Sequence, residues 1–173
     1  MKKFLVILSV VAVAGAISTA SAMDRTGKIG LGYQETFGAG GNLGTAMGEW
    51  SFKYGFTDVL TGQFLLGTTY INKGGLKEVE FGVRVLYSLV KNENSAFYTG
   101  AGLLYENIKD QPDQMRFNLP LGFEVSFAGL PEVGFSAEVG LMIDYQKSGK
   151  VWSFNTVGGS IGGSLGLGAH YYF

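Results

Sequence analysis

The stretch Leu165-Gly166-Leu167-Gly168-Ala169-His170-Tyr171-Tyr172-Phe173 decides the fold. Its odd positions carry Leu, Leu, Ala, Tyr and Phe, and its even positions carry Gly, Gly, His and Tyr. Alternation of bulky apolar with small or polar residues is the signature of a β-strand with two unlike faces. The same period runs back through the chain. The bulky sets are Ile29/Leu31/Tyr33, Ala46/Trp50/Phe52/Tyr54, Leu60/Phe64/Leu66/Tyr70 and Val79/Phe81/Val83/Val85/Tyr87/Leu89. Phe97/Ala101/Leu103/Tyr105, Phe117/Leu119/Leu121/Phe123/Val125/Phe127 and Val133/Phe135/Ala137/Val139/Leu141/Ile143/Tyr145 complete them. With the terminal stretch this predicts eight strands.

Connections alternate in kind. Gly55–Asp58, Lys91–Ser95 and Gly129–Glu132 are short. Gly38–Gly44, Ile71–Lys77, Asn107–Gln114 and Gln146–Thr156 are mostly longer and rich in Gly, Lys, Asp and Asn. Short turns at one end and longer loops at the other suit an antiparallel up-and-down barrel that spans a membrane. An even strand number puts both termini at the short-turn end.

The start of the chain reads differently. Lys2 and Lys3 precede an apolar run, Phe4–Ile17, and Ala20-Ser21-Ala22 supplies an A-x-A cleavage site. Residues 1–22 are therefore expected to be a signal peptide and residues 23–173 the barrel. Loss of the leader lowers Lys+Arg from 13 to 11 against 14 Asp+Glu, a net charge of −3. Basic residues neither dominate nor cluster, which argues against nucleic acid as a partner. The absence of cysteine excludes a disulfide scaffold, a thiolate metal site and a lipid-modified N-terminal cysteine. After the leader no run reaches the about 20 apolar residues of a membrane helix. Spanning then requires a closed barrel, since lipid satisfies no open sheet edge.

Period two does not say which face is inside. The interior of an eight-stranded barrel is only wide enough for side chains. The bulky face holds most of the aromatics; the other carries Gly, Ser and scattered charges. The small face fits the concave side. Aromatics also gather at both ends of the bulky face. Tyr54, Tyr87, Phe97, Phe127, Phe135, Tyr171 and Phe173 lie near the short turns, and Tyr33, Tyr70, Phe81, Tyr105, Phe117 and Tyr145 near the loops. Two girdles about an aliphatic band match the two interfaces of a bilayer. A soluble barrel with its apolar face inward is the alternative.

With these features the chain resembles the small eight-stranded outer-membrane barrels of the OmpA/OmpX-like and opacity-protein type. The turn Tyr54-Gly55-Phe56-Thr57-Asp58 and the terminal stretch carry the resemblance. It implies residence in the bacterial outer membrane among lipids and lipopolysaccharide. It also implies Tyr171 and Phe173 as a signal for the β-barrel assembly machinery, with periplasmic chaperones on the way. Larger members carry a peptidoglycan-binding domain after the barrel; no such sequence follows Phe173, and that function is not carried over.

Inward parity places Lys53, Arg84, Glu124 and Glu138 in the short-turn half to middle of the lumen. Buried charges should pair, so an internal network is expected, like the Glu/Arg/Lys interior of the resembled family. It is either a static polar core or a gate. Glu49, Glu78, Glu80, Glu106 and Asp144 share the parity and lean any path towards cations. Enzyme chemistry finds little support. His170 is the only histidine and lies at the wrong end for a triad with loop residues, while Ser136 and Ser164 suit wall positions. One His and no Cys argue against a transition-metal site, and no cofactor motif is present. Gly38–Gly44 lacks the Lys-Ser/Thr of a phosphate loop. The last loop, with Lys147, Lys150 and Trp152, could meet lipopolysaccharide phosphates or be ordinary surface.

Three functions stay open. The first is a structural, monomeric barrel supporting the envelope with its lumen plugged. The second is a narrow, cation-leaning channel or carrier. The third is adhesion or recognition through the loops.

Overall fold

A computed structural model describes residues 23–35, 49–70, 77–110, 112–146, 151–157 and 166–173. Nine strands appear: β1 (Ile29–Gln34), β2 (Glu49–Gly55), β3 (Leu60–Tyr70), β4 (Lys77–Asn92), β5 (Ser95–Ile108), β6 (Gln114–Phe127), β7 (Leu130–Gln146), β8 (Val151–Val157) and β9 (Gly166–Tyr172). Neighbours in sequence pair antiparallel from β1 to β8. The sheet closes because β9 pairs with both β7 and β1. The wall is an eight-stranded antiparallel barrel whose eighth strand comes in two pieces. Gly140 faces Val157 and Glu138 faces Gly166, so β8 and β9 continue one another along β7.

This corrects one expectation. Gln146–Thr156 was expected as a loop, yet Val151–Val157 lies in the ladder, and Trp152 faces Tyr145. Val151-Trp-Ser-Phe-Asn-Thr-Val157 itself alternates and is rich in β-formers; Lys and Gly on its N-terminal side masked it as loop. The leader, Ala46, Gly38–Gly44, Lys147, Lys150, Ser164 and Leu165 lie outside the described residues.

Parity fails at a second place. The β4–β5 register shifts between Ser88 and Val90. Such a bulge adds one residue and exchanges the faces beyond it. Leu89, expected on the outer face, is buried, and Val90 points out instead.

Elsewhere the bulky face is outside. Leu31, Val83, Val85, Leu103, Leu121, Val139, Leu141 and Leu167 are exposed along the middle of the wall. Tyr54, Tyr87, Phe97, Phe127, Phe135, Tyr171 and Phe173 are exposed at the short-turn end. No described helix is long and apolar enough to cross a membrane; the exposed belt belongs to strands. A surface with this much apolar exposure is made for lipid.

Two local devices shape the wall. A Cβ at Gly32 would run into the Ala169 carbonyl, so glycine permits the β1–β9 closure. Pro120 sits inside β6 with no N–H to give. The β5–β6 ladder skips from Thr99↔Leu121 to Gly102↔Asn118, and the Thr99 hydroxyl donates to the Pro120 carbonyl at 3.0 Å. The Tyr54–Asp58 turn is held by Thr57, whose Oγ1 accepts from Leu60 N at 3.0 Å. Phe56 meets Tyr54 edge-on, with ring centroids 5.3 Å apart.

Candidate functional site: the charged lumen

Alternation turns every second residue inward, and the short-turn half of the lumen fills with charge. Lys53 on β2 and Glu124 on β6 meet at 2.9 Å. Arg84 on β4 meets Glu138 on β7 through two bonds, Nη1 to Oε2 at 2.7 Å and Nη2 to Oε1 at 2.9 Å. A paired fork of this kind fixes both partners in the plane of the guanidinium. All four side chains that parity selected thus face one another across the barrel, as two pairs.

Each pair has neutral supports that parity did not single out. Gln63 Oε1 accepts from Arg84 Nε at 3.0 Å and Nη2 at 2.6 Å, and Asn118 Oδ1 from Nη1 at 3.4 Å. Tyr98 donates its hydroxyl to Glu138 at 2.6 Å. Tyr172 donates to Glu124, with 3.0 and 2.9 Å to its two oxygens. The glycines on this face make room for these side chains. A Cβ at Gly134 would lie 2.7 Å from Glu124, and one at Gly102 would lie 2.5 Å from Arg84.

The residue most thoroughly missed is Arg25. It precedes β1, so strand parity says nothing about it. Its side chain is nonetheless buried in the short-turn mouth. Nη2 donates to Ser126 Oγ at 2.8 Å and stands 3.7 Å from Glu124. Nη1 donates to the Pro131 carbonyl at 2.9 Å. The guanidinium lies over the Tyr172 ring, 3.8 Å from its centroid.

His170 does turn inward beside Tyr172, their ring centroids 6.2 Å apart. Its Nε2 is 2.7 Å from Ser51 Oγ, which also accepts from Gln63 Nε2 at 2.7 Å. Among the described residues Nδ1 has no hydrogen-bond partner, so no carboxylate orients this ring as a base. The contact is a wall contact. Ser136, expected as a wall residue, is one: it is buried and donates to Gln34 at 3.3 Å.

Loopward of these pairs the lumen differs from the expected small, polar surface. Leu65, Leu104 and Met142 form a buried apolar cluster. Leu86, on the short-turn side of Arg84 along β4, is buried as well. All four hold inward parity, interspersed among the glycines of the inner face. The outer half then carries Glu49, Glu80 and Glu106, all buried. Arg116 reaches Glu106 at 2.6 Å and Asp144 at 3.1 Å. The side chain of Glu78 lies outside the described set. Of the two terminal aromatics, Tyr171 and Phe173 both point outward, edge to face at 5.0 Å.

No protein-family model matches the chain, and no curated protein sequence matches it significantly. Solved structures do. The N-terminal β-barrel domain of Pseudomonas aeruginosa OprF is 15% identical, with a TM-score of 0.56 over 86% of this chain and 98% of that one. Ail, the attachment invasion locus protein of Yersinia pestis, is 19% identical, with a TM-score of 0.41 over 86% and 99%. The first likeness shows the fold, a closed β-barrel; the second is too distant to add to it.

Proposed function

We propose that this chain is an integral outer-membrane barrel with a closed lumen, serving as a structural element of the envelope. The observation that carries the reading is Arg84. Its side chain is 0% exposed, in the middle of a transmembrane wall, and locked to Glu138 by two bonds. A buried ion in such a fork leaves its partner only at considerable cost. The apolar layer of Leu65, Leu104 and Met142 sits above it and adds a second obstruction. The exposed belt and girdles suit bilayer lipid, and lipopolysaccharide is the expected outer-leaflet neighbour. The outward Tyr171 and Phe173 support reading the C-terminus as an assembly-machinery signal, with periplasmic chaperones earlier in transit. Insertion as a monomer suits the short-turn half of the described wall, where β9 joins β7 to β1 and leaves no open edge.

Reversal of the buried charge tests this. Arg84→Glu places a second carboxylate against Glu138. In a planar bilayer its single-channel conductance should rise well above that of the parent protein. An unchanged current would remove the ion pair from any part in closure.

A second reading has its own observation. The outer half sets Glu49, Glu80, Glu106 and Asp144 against Arg116, an acidic vestibule. If the pairs below it part, the path favours cations. A reversal potential of zero across a salt gradient in the Arg84→Glu protein would refute that preference.

A further inference from the structure

Six residues before β1 do not trail away from the barrel. Met23 N donates to the Asn92 carbonyl at 3.3 Å, on the far side of the short-turn rim. Thr26 forms an isolated parallel bridge with Gly55 at the end of β2. Gly27 N donates to the Gly55 carbonyl at 2.8 Å, and Gly55 N donates back to the Lys28 carbonyl at 3.2 Å. Lys28 N donates to the Arg25 carbonyl at 3.0 Å, closing a tight turn. That turn needs Gly27, whose φ of 71° lies in the left-handed region. It also needs Gly55, because a Cβ there would strike the Arg25 carbonyl. Asp24 caps the turn, its Oδ1 accepting from Thr26 N at 2.8 Å.

The product of this turn is the position of one side chain. Arg25 enters the mouth and touches β6, β7 and β9 together, through Ser126 and Glu124, the Pro131 carbonyl and the Tyr172 ring. We propose that Met23–Lys28 is a stopper, a strap that seats Arg25 in the short-turn mouth, on the rim side of the Lys53–Glu124 and Arg84–Glu138 pairs, and seals it there. The proposal rests on the closed-lumen reading. It adds a consequence for charge. With Arg25 the inner set is three cations, Arg25, Lys53 and Arg84, against two carboxylates, Glu124 and Glu138. The mouth thus repels the cations that the acidic outer half attracts. Removal of Arg25 leaves the inner set balanced.

The chain has no cysteine, so one introduced thiol reports local access. Ser136→Cys places it beside Glu124, its cross-strand partner, just inside Arg25. Ser51→Cys places it deeper, loopward of Lys53 on β2. Each is made in the full chain, in the parent background, with Arg25→Gln, and with Asp24, Arg25 and Thr26 all changed to glycine. Protein purified in detergent, with folding verified by heat-modifiable mobility, is treated with a membrane-impermeant methanethiosulfonate. In the parent both thiols should react slowly. Loss of Arg25 should speed the Ser136→Cys reaction at least tenfold and leave the Ser51→Cys rate unchanged. Equal acceleration at both sites would mean a loosened barrel and would overturn the stopper. No acceleration at either would also overturn it, with the closed lumen left standing. Rapid reaction at both sites in the parent would overturn the closed lumen and the stopper with it.

Discussion

Arg84 and Glu138 show what a buried pair contributes and what it does not. Arg84→Met would leave the Glu138 carboxylate buried with only Tyr98 as donor, a loss of about 3–5 kcal/mol. Arg84→Met with Glu138→Met should recover most of it, since an apolar pair of similar volume is often neutral. Urea titration of refolded protein, followed by heat-modifiable mobility, measures both. Lys53→Met should cost less than Arg84→Met, because Glu124 keeps Tyr172 and Arg25 close by. Glycine gives a sharper contrast. Gly32→Ala drives a methyl into the Ala169 backbone and should cost about 1–3 kcal/mol. Gly129→Ala meets nothing within 4 Å and should fall within about 0.5 kcal/mol of the parent. At this scale the sequence is legible where parity operates. Lys53, Arg84, Glu124 and Glu138 followed from alternation and the cost of lone buried ions. Arg25 did not, because it stands outside any strand and its position depends on a turn made by Gly27 and Gly55.

Strands carry a different kind of information, the depth of each outward residue. On β4, Val83 lies in the aliphatic middle and Val90 near the short turn, and both point out. Val83→Arg should destabilise by about 2–4 kcal/mol, and Val90→Arg by about 0–1 kcal/mol. A large cost at Val90 would contradict the membrane placement. The bulge at Ser88–Val90 was beyond simple periodicity. A one-residue insertion leaves both Leu89 and Val90 apolar in sequence, and only the pairing with β5 decides which is inside. The strap before β1 has its own pH response. The hydrogen bond from Thr26 holds the Asp24 carboxyl below its ordinary value. A depressed carboxylate contributes at neutral pH and loses that contribution as pH falls through its lowered value. Protection of the Thr26 amide, taken against its intrinsic exchange rate at each pH, should therefore fall in acid. Asp24→Asn should show low protection throughout with no acid step; a retained step would assign the response to another group.

For the whole molecule, closure came from the count of alternating segments. Alternation showed eight strands and found the second piece of the eighth, Gly166–Tyr172, while its first piece, Val151–Val157, stood among loop-like residues. The lumen was the harder part. A glycine-rich inner face alone would leave room for water. The inward Leu104, Tyr98 and Tyr172 instead reach into space opened by Gly82, Gly122 and Gly30. Glycine on a barrel wall is thus ambiguous: it makes a channel or makes room for a neighbour's side chain, and only the register says which. The claim that joins these scales is that the lumen is closed. The direct measurement is the current through the unmodified protein in a planar bilayer, with folding verified in the same preparation. A closed lumen gives insertions without a steady conducting level, and one appears when Arg84 is reversed. A stable ohmic step accompanying each insertion of the unmodified protein would contradict it.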